Sequence, residues 1–238
     1  MKKILISLTA AALMLLMCVS LASPALAAGT APIAENLEIK TYRNVSVGGK
    51  MSAYDPDDDV VSYEITTQPV KGKIVQGEEG SFTYTPNDNK RGKDYFGYKA
   101  VDAEGNVSQE ATVIIRIEKQ KKDVCYEDME GRAEEYVAVA LSENNIFTAE
   151  MIGGEYCFGP EKTVSRGEFL SMCMLTAGEP LINGVMSTGY EDVDAMPYWM
   201  QQYVATAVMR GVSGREESES VFRADEPISR NEAMSMLN

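Results

Sequence analysis

The sequence has no histidine among its 238 residues. This excludes Ser–His and Cys–His nucleophile pairs and removes the commonest zinc ligand. Cysteine is scarce too: beyond residue 27 only Cys125, Cys157 and Cys173 remain, and an odd number at irregular spacing does not describe a disulfide framework. Cations are outnumbered, since 22 Lys and Arg face 36 Asp and Glu and give a formal net charge of -14. Such an acidic chain is repelled by nucleic acid and by anionic membrane surfaces.

A long apolar run is present only at the N-terminus. Two lysines precede an uncharged apolar stretch at residues 4–22, and the small-x-small sequence that ends at Ala27 is the pattern that signal peptidases cut. We therefore predict a signal peptide over residues 1–27, cleavage near Ala27, and a secreted mature chain without a transmembrane anchor. The alternative is a retained membrane anchor, which the turn residue Pro24 and the small residues after it disfavour.

Residues 28–118 have the pattern of a β domain. Short runs of β-branched and aromatic residues alternate with polar residues, and turn signals separate these runs. Seven predicted strands in a segment of this length favour a two-sheet antiparallel sandwich. The predicted strands are residues 37–42, 45–54, 60–67, 73–76, 81–85, 94–101 and 111–117.

Five short motifs mark this β domain as a particular type. They are Ala-Pro-Ile-Ala at 31–34, Tyr-Asp-Pro-Asp-Asp-Asp at 54–59, Thr-Gln-Pro-Val-Lys-Gly at 67–72, Gly-Ser-Phe-Thr-Tyr-Thr-Pro at 80–86 and Asp-Tyr-Phe-Gly-Tyr at 94–98. Together they resemble the bacterial cadherin-like and immunoglobulin-like repeats of large surface proteins. The resemblance implies a spacer or adhesion module without an active site.

An acidic turn between the second and third predicted strands is a candidate metal site. Asp55, Asp57 and Asp59 offer carboxylate oxygens, with Asp102 and Glu104 as further ligands, and Ca²⁺ takes ligands of this kind. The spacing is not that of an EF-hand, which requires a glycine and a glutamate that this loop lacks. The alternative is a solvated acidic turn without a cation. Apart from this open question of Ca²⁺, no cofactor is predicted.

The pattern changes after a charged linker at residues 119–123. Apolar residues then recur at helical spacing, so the rest of the chain is predicted to be helical. Comparison of this half with itself reveals a repeat of 64 residues, which indicates two copies of one helix–loop–helix unit, at 124–187 and 188–238. The matching positions include Tyr126 and Tyr190, Asp128 and Asp192, Phe158 and Phe222, Ser165 and Ser229, Arg166 and Arg230, and Glu168 and Glu232.

The second helix of each unit begins with a capping box, Ser-x-x-Glu, at 165–168 and at 229–232. The second unit also has Tyr-Glu-Asp-Val at 190–193, the single tryptophan Trp199, a glycine-containing loop at 211–214 and Phe222 before the capping box. These features resemble S-layer homology domains over roughly residue 124 to the end. The first unit is a looser match because it lacks the tryptophan.

S-layer homology domains anchor secreted proteins non-covalently to secondary cell-wall polysaccharide, commonly polymers that bear pyruvate ketals. The resemblance therefore implies this polysaccharide as the partner and a location at the cell wall or S-layer surface of a Gram-positive-type envelope. Three repeats normally build one pseudo-threefold unit, whereas two are present up to Asn238. We expect from this either a truncated product or a missing third repeat.

Arg166 and Arg230 stand at the first helical position, where the helix dipole disfavours a cation by about 0.3–1 kcal/mol. The free N–H groups of a helix start and an adjacent guanidinium together suit a carboxylate, such as that of a pyruvate ketal. We therefore predict that both arginines bind the polysaccharide. The alternative is that each guanidinium pairs with an acidic neighbour such as Glu127 or Glu191.

Three aromatic residues are further candidate contacts to the polysaccharide, because a ring packs well on a sugar face: Trp199, Tyr126 and Tyr190. The alternative for each ring is packing in the core or in the seam between helices. Asp128 and Asp192 are expected to be local caps rather than ligands.

The patterns together predict an all-β immunoglobulin-like or cadherin-like sandwich followed by an all-α repeat domain. Together with the resemblance, they favour a non-enzymatic protein held at the cell wall. Two other hypotheses stay open. One is a soluble secreted adhesion module, with or without Ca²⁺, and the other is the anchoring stub of a larger surface enzyme.

Overall fold

The computed structural model of the protein describes residues 29–148, 150–152, 154–185, 187–212 and 220–237. The predicted signal peptide lies outside these residues. No helix in the described ranges is long and apolar enough to cross a membrane. A β-sandwich is followed by a mainly helical half, which confirms the predicted fold class.

Short strands build the sandwich. They form a four-stranded sheet in the order β2-β9-β8-β5, a three-stranded sheet in the order β3-β7-β6, and a small β1-β4 pair. The strands are β1 (Ile33–Ala34), β2 (Leu37–Tyr42), β3 (Val47–Lys50), β4 (Ala53–Tyr54), β5 (Val60–Thr67), β6 (Gly72–Gln76), β7 (Ser81–Pro86), β8 (Gly92–Asp102) and β9 (Ala111–Glu118).

Two details of the sandwich differ from the prediction. The segment 45–54, predicted as one strand, is divided at Met51, whose side chain is fully buried and whose N–H donates to the carbonyl of Gly80 at 2.8 Å. The pairing of β2 with β9 is parallel, from Leu37 opposite Val113 onward, whereas an antiparallel sandwich was predicted. Alternation of apolar residues sets which face of a strand is buried but not the direction of its neighbour.

The core of the sandwich lies between the two sheets. Alternate side chains of β7, β8 and β9 point into it, and Phe82 packs edge-on against Phe96 with the ring centroids 5.1 Å apart. Burial of each such apolar side chain contributes about 1.5–3 kcal/mol. The fully or nearly fully buried members include Phe82, Tyr84, Phe96, Tyr98, Val113 and Ile115.

The buried carboxylate of Asp94 connects three of the five sequence motifs. It accepts hydrogen bonds from the N–H groups of Val70 and Lys71, at 3.1 and 2.8 Å, and from the hydroxyl of Tyr84 at 2.8 Å. Burial and the Asp94 carboxylate raise the pKa of Tyr84. Glycine is required at Gly72, because a Cβ there would lie 2.4 Å from the Tyr84 ring. The motifs thus meet in one hydrogen-bonded corner of the sandwich.

The second half contains four helices within the described residues: α1 (Glu135–Glu143), α2 (Arg166–Ala177), α3 (Tyr198–Arg210) and α4 (Arg230–Leu237). We call residues 124–187 unit 1 and residues 188–238 unit 2. Unit 1 also contains a hairpin that the sequence did not predict, β10 (Glu150–Ile152) with β11 (Glu155–Cys157). The three described cysteines are unpaired.

The sandwich and unit 1 share a core and a hydrogen-bonded junction. Val45 of the sandwich is buried in the same apolar cluster as residues of unit 1, including Tyr126. The N–H of Gly48 donates to the carbonyl of Ala133 at 2.7 Å, and a Cβ at Gly48 would lie 2.8 Å from the Ala133 Cβ. Glycine therefore permits the close approach of the two parts.

A buried carboxylate at this junction belongs to Glu135, the first residue of α1. It accepts hydrogen bonds from the N–H groups of Ser46, at 2.9 Å, and Gly131, at 3.1 Å. Desolvation raises the pKa of Glu135, although these N–H groups oppose the shift.

The charged linker is also held in place, because the N–H groups of Lys121 and Lys122 donate to Glu143 of α1 at 2.8 and 2.7 Å. The linker is thus held at the C-terminal end of α1.

Candidate polysaccharide-binding surface

The two units have the same internal framework around one aspartate. In each unit this carboxylate accepts two backbone hydrogen bonds from a segment about thirty residues further along the chain. Asp128 binds the N–H groups of Phe158 and Gly159 at 2.8 and 2.7 Å, and Asp192 binds those of Phe222 and Arg223 at 2.9 and 2.8 Å. The expectation that these aspartates are local caps was therefore wrong, because they fasten the loop before the second helix.

Tyr126 and Tyr190 are core residues of their units. Their exposed fractions are 0% and 5%, and each ring lies 5.4 Å from the equivalent phenylalanine ring, Phe158 in unit 1 and Phe222 in unit 2. Neither ring presents a face to solvent on which a sugar could pack. The alternative of core packing therefore describes both tyrosines.

Arg166 lies at the start of α2, as predicted, but its side chain is buried, with an exposed fraction of 3%. It crosses into unit 2, where its Nε donates to the carbonyl of Phe222 at 2.9 Å and its guanidinium pairs with Glu232. The guanidinium carbon also lies 5.2 Å from the centre of the Phe222 ring. The partner is thus neither Glu127 nor Glu191, and the guanidinium does not face solvent.

Unit 2 also occupies the backbone N–H groups at the start of α2. The N–H of Arg166 donates to the carbonyl of Glu226 at 2.9 Å, and that of Gly167 to Ala224 at 3.0 Å. The capping box of Ser165 and Glu168 forms as predicted. The anion site expected at this helix start is therefore filled by protein, and we call this set of contacts the interunit lock.

Arg230, the equivalent residue of unit 2, has a different environment. Its side chain is exposed at the start of α4, and the capping box of Ser229 and Glu232 is formed there too. Within the described part of the chain, no carbonyl accepts from the N–H of Arg230 or of Asn231. A guanidinium and two helix-start N–H groups are therefore available together, the combination that suits a carboxylate.

An exposed aromatic surface lies at the start of α3. Trp199 is half-exposed and Tyr198 more so, with 50% and 76% of their surfaces accessible. The Trp199 ring packs edge-on against Tyr203, with centroids 6.1 Å apart, which fixes its orientation. Trp199 is therefore not a core residue, and half of its surface is accessible to a ligand.

Unit 1 has a cavity of about 360 Å³ at the position where unit 2 receives Arg166. Phe158 and Glu168 line it, and these residues are equivalent to Phe222 and Glu232 of the interunit lock. The cavity was not predicted from the sequence. Part of its wall is Cys157, the last residue of the β10–β11 hairpin, and that hairpin was not predicted either. Other lining residues are Leu141, Phe147 and Thr163.

The acidic turn of the sandwich is the other candidate site. Asp55 and Asp59 lie together with Asp102, one of the two further ligands named from the sequence, and the three ligand atoms are within 4.8 Å of one another. Asp57 points instead to the N-terminal segment, where its Oδ2 accepts the N–H of Thr30 at 2.7 Å. Of the predicted carboxylates, Asp57 is therefore not part of the cluster, whereas Asp102 is.

Comparison with known families agrees with this architecture. Residues 29–119 match the bacterial cadherin-like domain, and residues 189–234 match the S-layer homology domain. The chain contains both domains. The S-layer homology match lies within unit 2; unit 1 shares the framework described above but lies outside the match. Neither family is catalytic, and the S-layer homology domain indicates association with the cell surface through cell-wall polysaccharide.

Solved structures give weaker similarities. They include the SrpA adhesin of Streptococcus sanguinis, at 19% identity over 42% of this chain and 62% of that chain, with a TM-score of 0.31. The fibronectin(III)-like modules of Clostridium thermocellum CbhA match at 12% identity over 41% and 52%, with a TM-score of 0.29. An endo-fucoidan hydrolase of glycoside hydrolase family 107 matches at 18% identity over 40% and 14%, with a TM-score of 0.31.

In each of these comparisons this chain spans less than two thirds of the matched structure's own length. The TM-scores are too low to support a functional conclusion. A search of curated proteins finds no significant match.

Proposed function

We propose that this is a secreted, non-enzymatic protein that unit 2 holds at the cell wall by binding a carboxylate-bearing secondary wall polysaccharide, with the sandwich as a spacer. A polymer with pyruvate ketals supplies the required carboxylate. The proposed divisions are a signal peptide at 1–27, the sandwich at 28–118, the linker at 119–123, unit 1 at 124–187 and unit 2 at 188–238.

The exposed start of α4 supports this proposal most directly. Arg166 and Arg230 occupy the same position in the repeat, but unit 2 already satisfies Arg166. Of these two arginines, Arg230 alone has an exposed side chain at a helix start whose first N–H groups have no carbonyl partner among the described residues. A bidentate pair with a ligand carboxylate is the geometry that arginine favours.

The acidity of the chain sets a condition on this binding. Since 36 acidic residues face 22 basic ones, an anionic polymer is repelled over most of the surface. Attraction must be local, at Arg230, with Trp199 as a second, uncharged contact to the sugar faces. We therefore propose Arg166 as a structural residue and Arg230 with Trp199 as the polysaccharide contacts.

The test is co-sedimentation of the purified chain with isolated cell walls. Replacement of Arg230 by Ala removes a charge-assisted bidentate contact worth about 1.5–3 kcal/mol and should weaken binding about tenfold or more. Arg91→Ala is the matched control, because it removes an exposed arginine from the sandwich without touching unit 2. Removal of the pyruvate groups from the walls should weaken binding of the unaltered chain. The loss should equal the loss that Arg230→Ala shows with normal walls.

Two results would contradict the proposal. One is that the folded, unaltered chain fails to sediment with intact walls. The other is that Arg230→Ala and Arg91→Ala sediment equally well, which would place the contact elsewhere.

A further inference from the structure

We propose that the cavity of unit 1 is a docking site for a second copy of this chain, which inserts Arg230 and the start of its α4 into the cavity. The cavity is built by unit 1 and the inserted helix start belongs to unit 2, so each chain carries both halves of the contact. The contact is heterologous, and copies therefore add head to tail.

The interunit lock is the template for this contact. Residues 164–167 of unit 1 are joined by hydrogen bonds, an ion pair and a β-bridge to six residues of unit 2, which are Phe222, Ala224, Glu226, Pro227, Ile228 and Glu232. Their equivalents 64 positions earlier all line the cavity, and they are Phe158, Pro160, Lys162, Thr163, Val164 and Glu168. The cavity is therefore built from the same repeat positions as the site that holds Arg166.

The wall of the cavity has acceptors that match a guanidinium. In unit 2, Arg166 binds the carbonyl of Phe222 and one oxygen of Glu232, while the other oxygen of Glu232 closes the capping box. In unit 1 the capping box uses Oε2 of Glu168. Among the described residues, nothing donates to Oε1 of Glu168 or to the carbonyl of Phe158. A guanidinium in the cavity can bind both acceptors and also contact the Phe158 ring.

The chain carries a helix start of the required kind at Arg230. The side chain of Arg230 is exposed, and no carbonyl in the described ranges accepts from its N–H or from that of Asn231. In the interunit lock the residue after the arginine, Gly167, donates its N–H to the carbonyl of Ala224. The N–H of Asn231 can donate in the same way to the carbonyl of Pro160, which receives no N–H from the described part of the chain.

Apolar side chains beside the two halves of the contact also match. Where units 1 and 2 meet, Leu170 of α2 and Val204 of α3 are buried in one cluster, with exposed fractions of 1% and 0%. Their equivalents are Met234 of α4 and Val137 of α1, which are 53% and 55% exposed. Val137 lies about one helical turn before Leu141, which lines the cavity. Docking of α4 beside α1 therefore covers both exposed side chains.

One residue of the wall limits the strength of the contact. Lys162 stands at the position of Glu226 in unit 2, and its charge opposes the arrival of an arginine. We therefore expect reversible association at micromolar to millimolar chain concentrations, and not a permanent dimer.

Arg230 cannot hold a wall polysaccharide and a second copy at the same time. A polymer that binds Arg230 therefore releases the docked copy. This competition rests on the function proposed above, whereas the docking itself does not.

The test is sedimentation velocity of the purified chain over this concentration range. We expect the weight-average mass of the unaltered chain to rise with concentration. Arg230→Ala removes the inserted guanidinium and should weaken association about tenfold or more. Glu168→Gln removes the charge of the receiving carboxylate but keeps an oxygen for the capping box, so it should fold normally and associate severalfold more weakly.

A mixture of these two variants makes the test specific. Arg230→Ala keeps the cavity intact and Glu168→Gln keeps the helix start intact, so one unaltered contact can form between them and growth stops there. At a concentration where each variant alone is monomeric, an equal mixture should therefore sediment as a dimer.

Two further variants test the charges around the cavity. Glu161→Gln is the matched control for Glu168→Gln, because it removes an exposed carboxylate of unit 1 that does not line the cavity, and it should associate as the unaltered chain does. Lys162→Glu, which introduces the residue type found at Glu226, should associate about two- to fivefold more tightly.

The proposal is overturned if the unaltered chain stays monomeric at millimolar concentration, or if the mixed variants sediment as monomers. Equal association of Glu168→Gln and Glu161→Gln would also overturn it. Soluble wall polysaccharide should dissociate the mixed dimer, and a dimer that persists at saturating polysaccharide contradicts the competition.

Wall binding separates this inference from the proposed function. Glu168→Gln should sediment with cell walls as well as the unaltered chain does, because it leaves unit 2 unchanged. Absence of wall binding with the mixed dimer intact contradicts only the proposed function. Absence of the mixed dimer with wall binding intact contradicts only the docking.

Discussion

Units 1 and 2 share one framework but differ in what fills the equivalent positions. In unit 2 the carbonyl of Phe222 and the carboxylate of Glu232 receive Arg166 from unit 1. In unit 1 the corresponding place is a cavity, and the corresponding arginine of unit 2, Arg230, is exposed. The difference teaches that one repeat position is structural where another unit is docked, and that the same position is open where we propose the binding role.

The largest expected effect comes from breaking the interunit lock. Arg166→Ala removes the guanidinium from the Glu232 carboxylate and the donor from the Phe222 carbonyl. It should lower the free energy of unfolding by about 3 kcal/mol, near the low end for buried pairs, because Glu232 is partly exposed and keeps its contacts with Ser229 and Arg223. Urea unfolding measures this. Arg166→Lys should recover part of the loss, and a cost below about 0.5 kcal/mol for Arg166→Ala would contradict the lock.

A smaller effect should appear at the two aspartates. Asp128→Ala and Asp192→Ala each remove two charge-assisted bonds to backbone N–H groups and should cost about 2 kcal/mol apiece. Although desolvation opposes ionisation, the bonds from Gly159 and Phe158 hold the pKa of Asp128 below its ordinary value. The contribution of Asp128 should therefore persist in mild acid and be lost as the pH falls through that lowered pKa. Clearly unequal costs for the two variants would show that the frameworks are not equivalent.

The third prediction uses a difference between the first helices of the two units. These helices align at an offset of 67 residues rather than 64, with Val137 opposite Val204, so Glu135 of unit 1 corresponds to Gln202 of unit 2. Because the pKa of Glu135 is raised above its ordinary value of 4.5, the folded state holds its proton more tightly than the unfolded state. Stability should therefore decline as the pH rises from about 4.5 through the folded pKa. Glu135→Gln keeps one oxygen for the bonds from Ser46 and Gly131 and should flatten this decline.

Denaturant unfolding between pH 4 and 7 measures how the free energy of unfolding depends on pH in the unaltered chain and in Glu135→Gln. Identical pH profiles would mean that Glu135 is not the group responsible. Gln202→Glu is the reciprocal change, and since that position lacks the sandwich contact it should leave the pH profile unaltered.

The smallest effect on stability is expected for Arg230→Ala. Its exposed side chain forms no hydrogen bond to another described residue, so the free energy of unfolding should change by less than about 0.5 kcal/mol. The contrast with Arg166→Ala, measured under the same conditions, tests whether equivalent residues have different roles. A cost above about 2 kcal/mol for Arg230→Ala would assign it a structural role as well.

Local patterns predicted the parts of the fold that depend on local interactions. The alternation in residues 60–67 identified β5, and Ser-x-x-Glu identified the starts of α2 and α4. The parallel partner of β2 was not predictable in this way, because direction depends on the path of the chain through the other sheet. The junction around Gly48 was missed for a similar reason, since its partner Ala133 is 85 residues away.

The candidate sites show the same limit. The sequence identified both arginines as residues at a helix start. The partner of Arg166 is Glu232, which lies 66 residues further along the chain. The sequence around the helix start therefore gave no sign that protein groups already satisfy Arg166. The acidic cluster was recognised from the spacing in one turn, which located Asp55 and Asp59. Asp102, named only as a further ligand, joins them and Asp57 does not, because strand pairing, and not sequence distance, decides which carboxylates converge.

The parallel pairing of β2 with β9 has a mechanical consequence for a domain that connects an anchor to its surroundings. Six residue pairs, from Leu37 opposite Val113 to Tyr42 opposite Glu118, join the first long strand to the last. Tension applied between the N-terminal side of β2 and the C-terminal side of β9 pulls these strands past each other, so their hydrogen bonds are loaded in shear and must fail together. An antiparallel pair loaded at one end would instead peel apart one bond at a time.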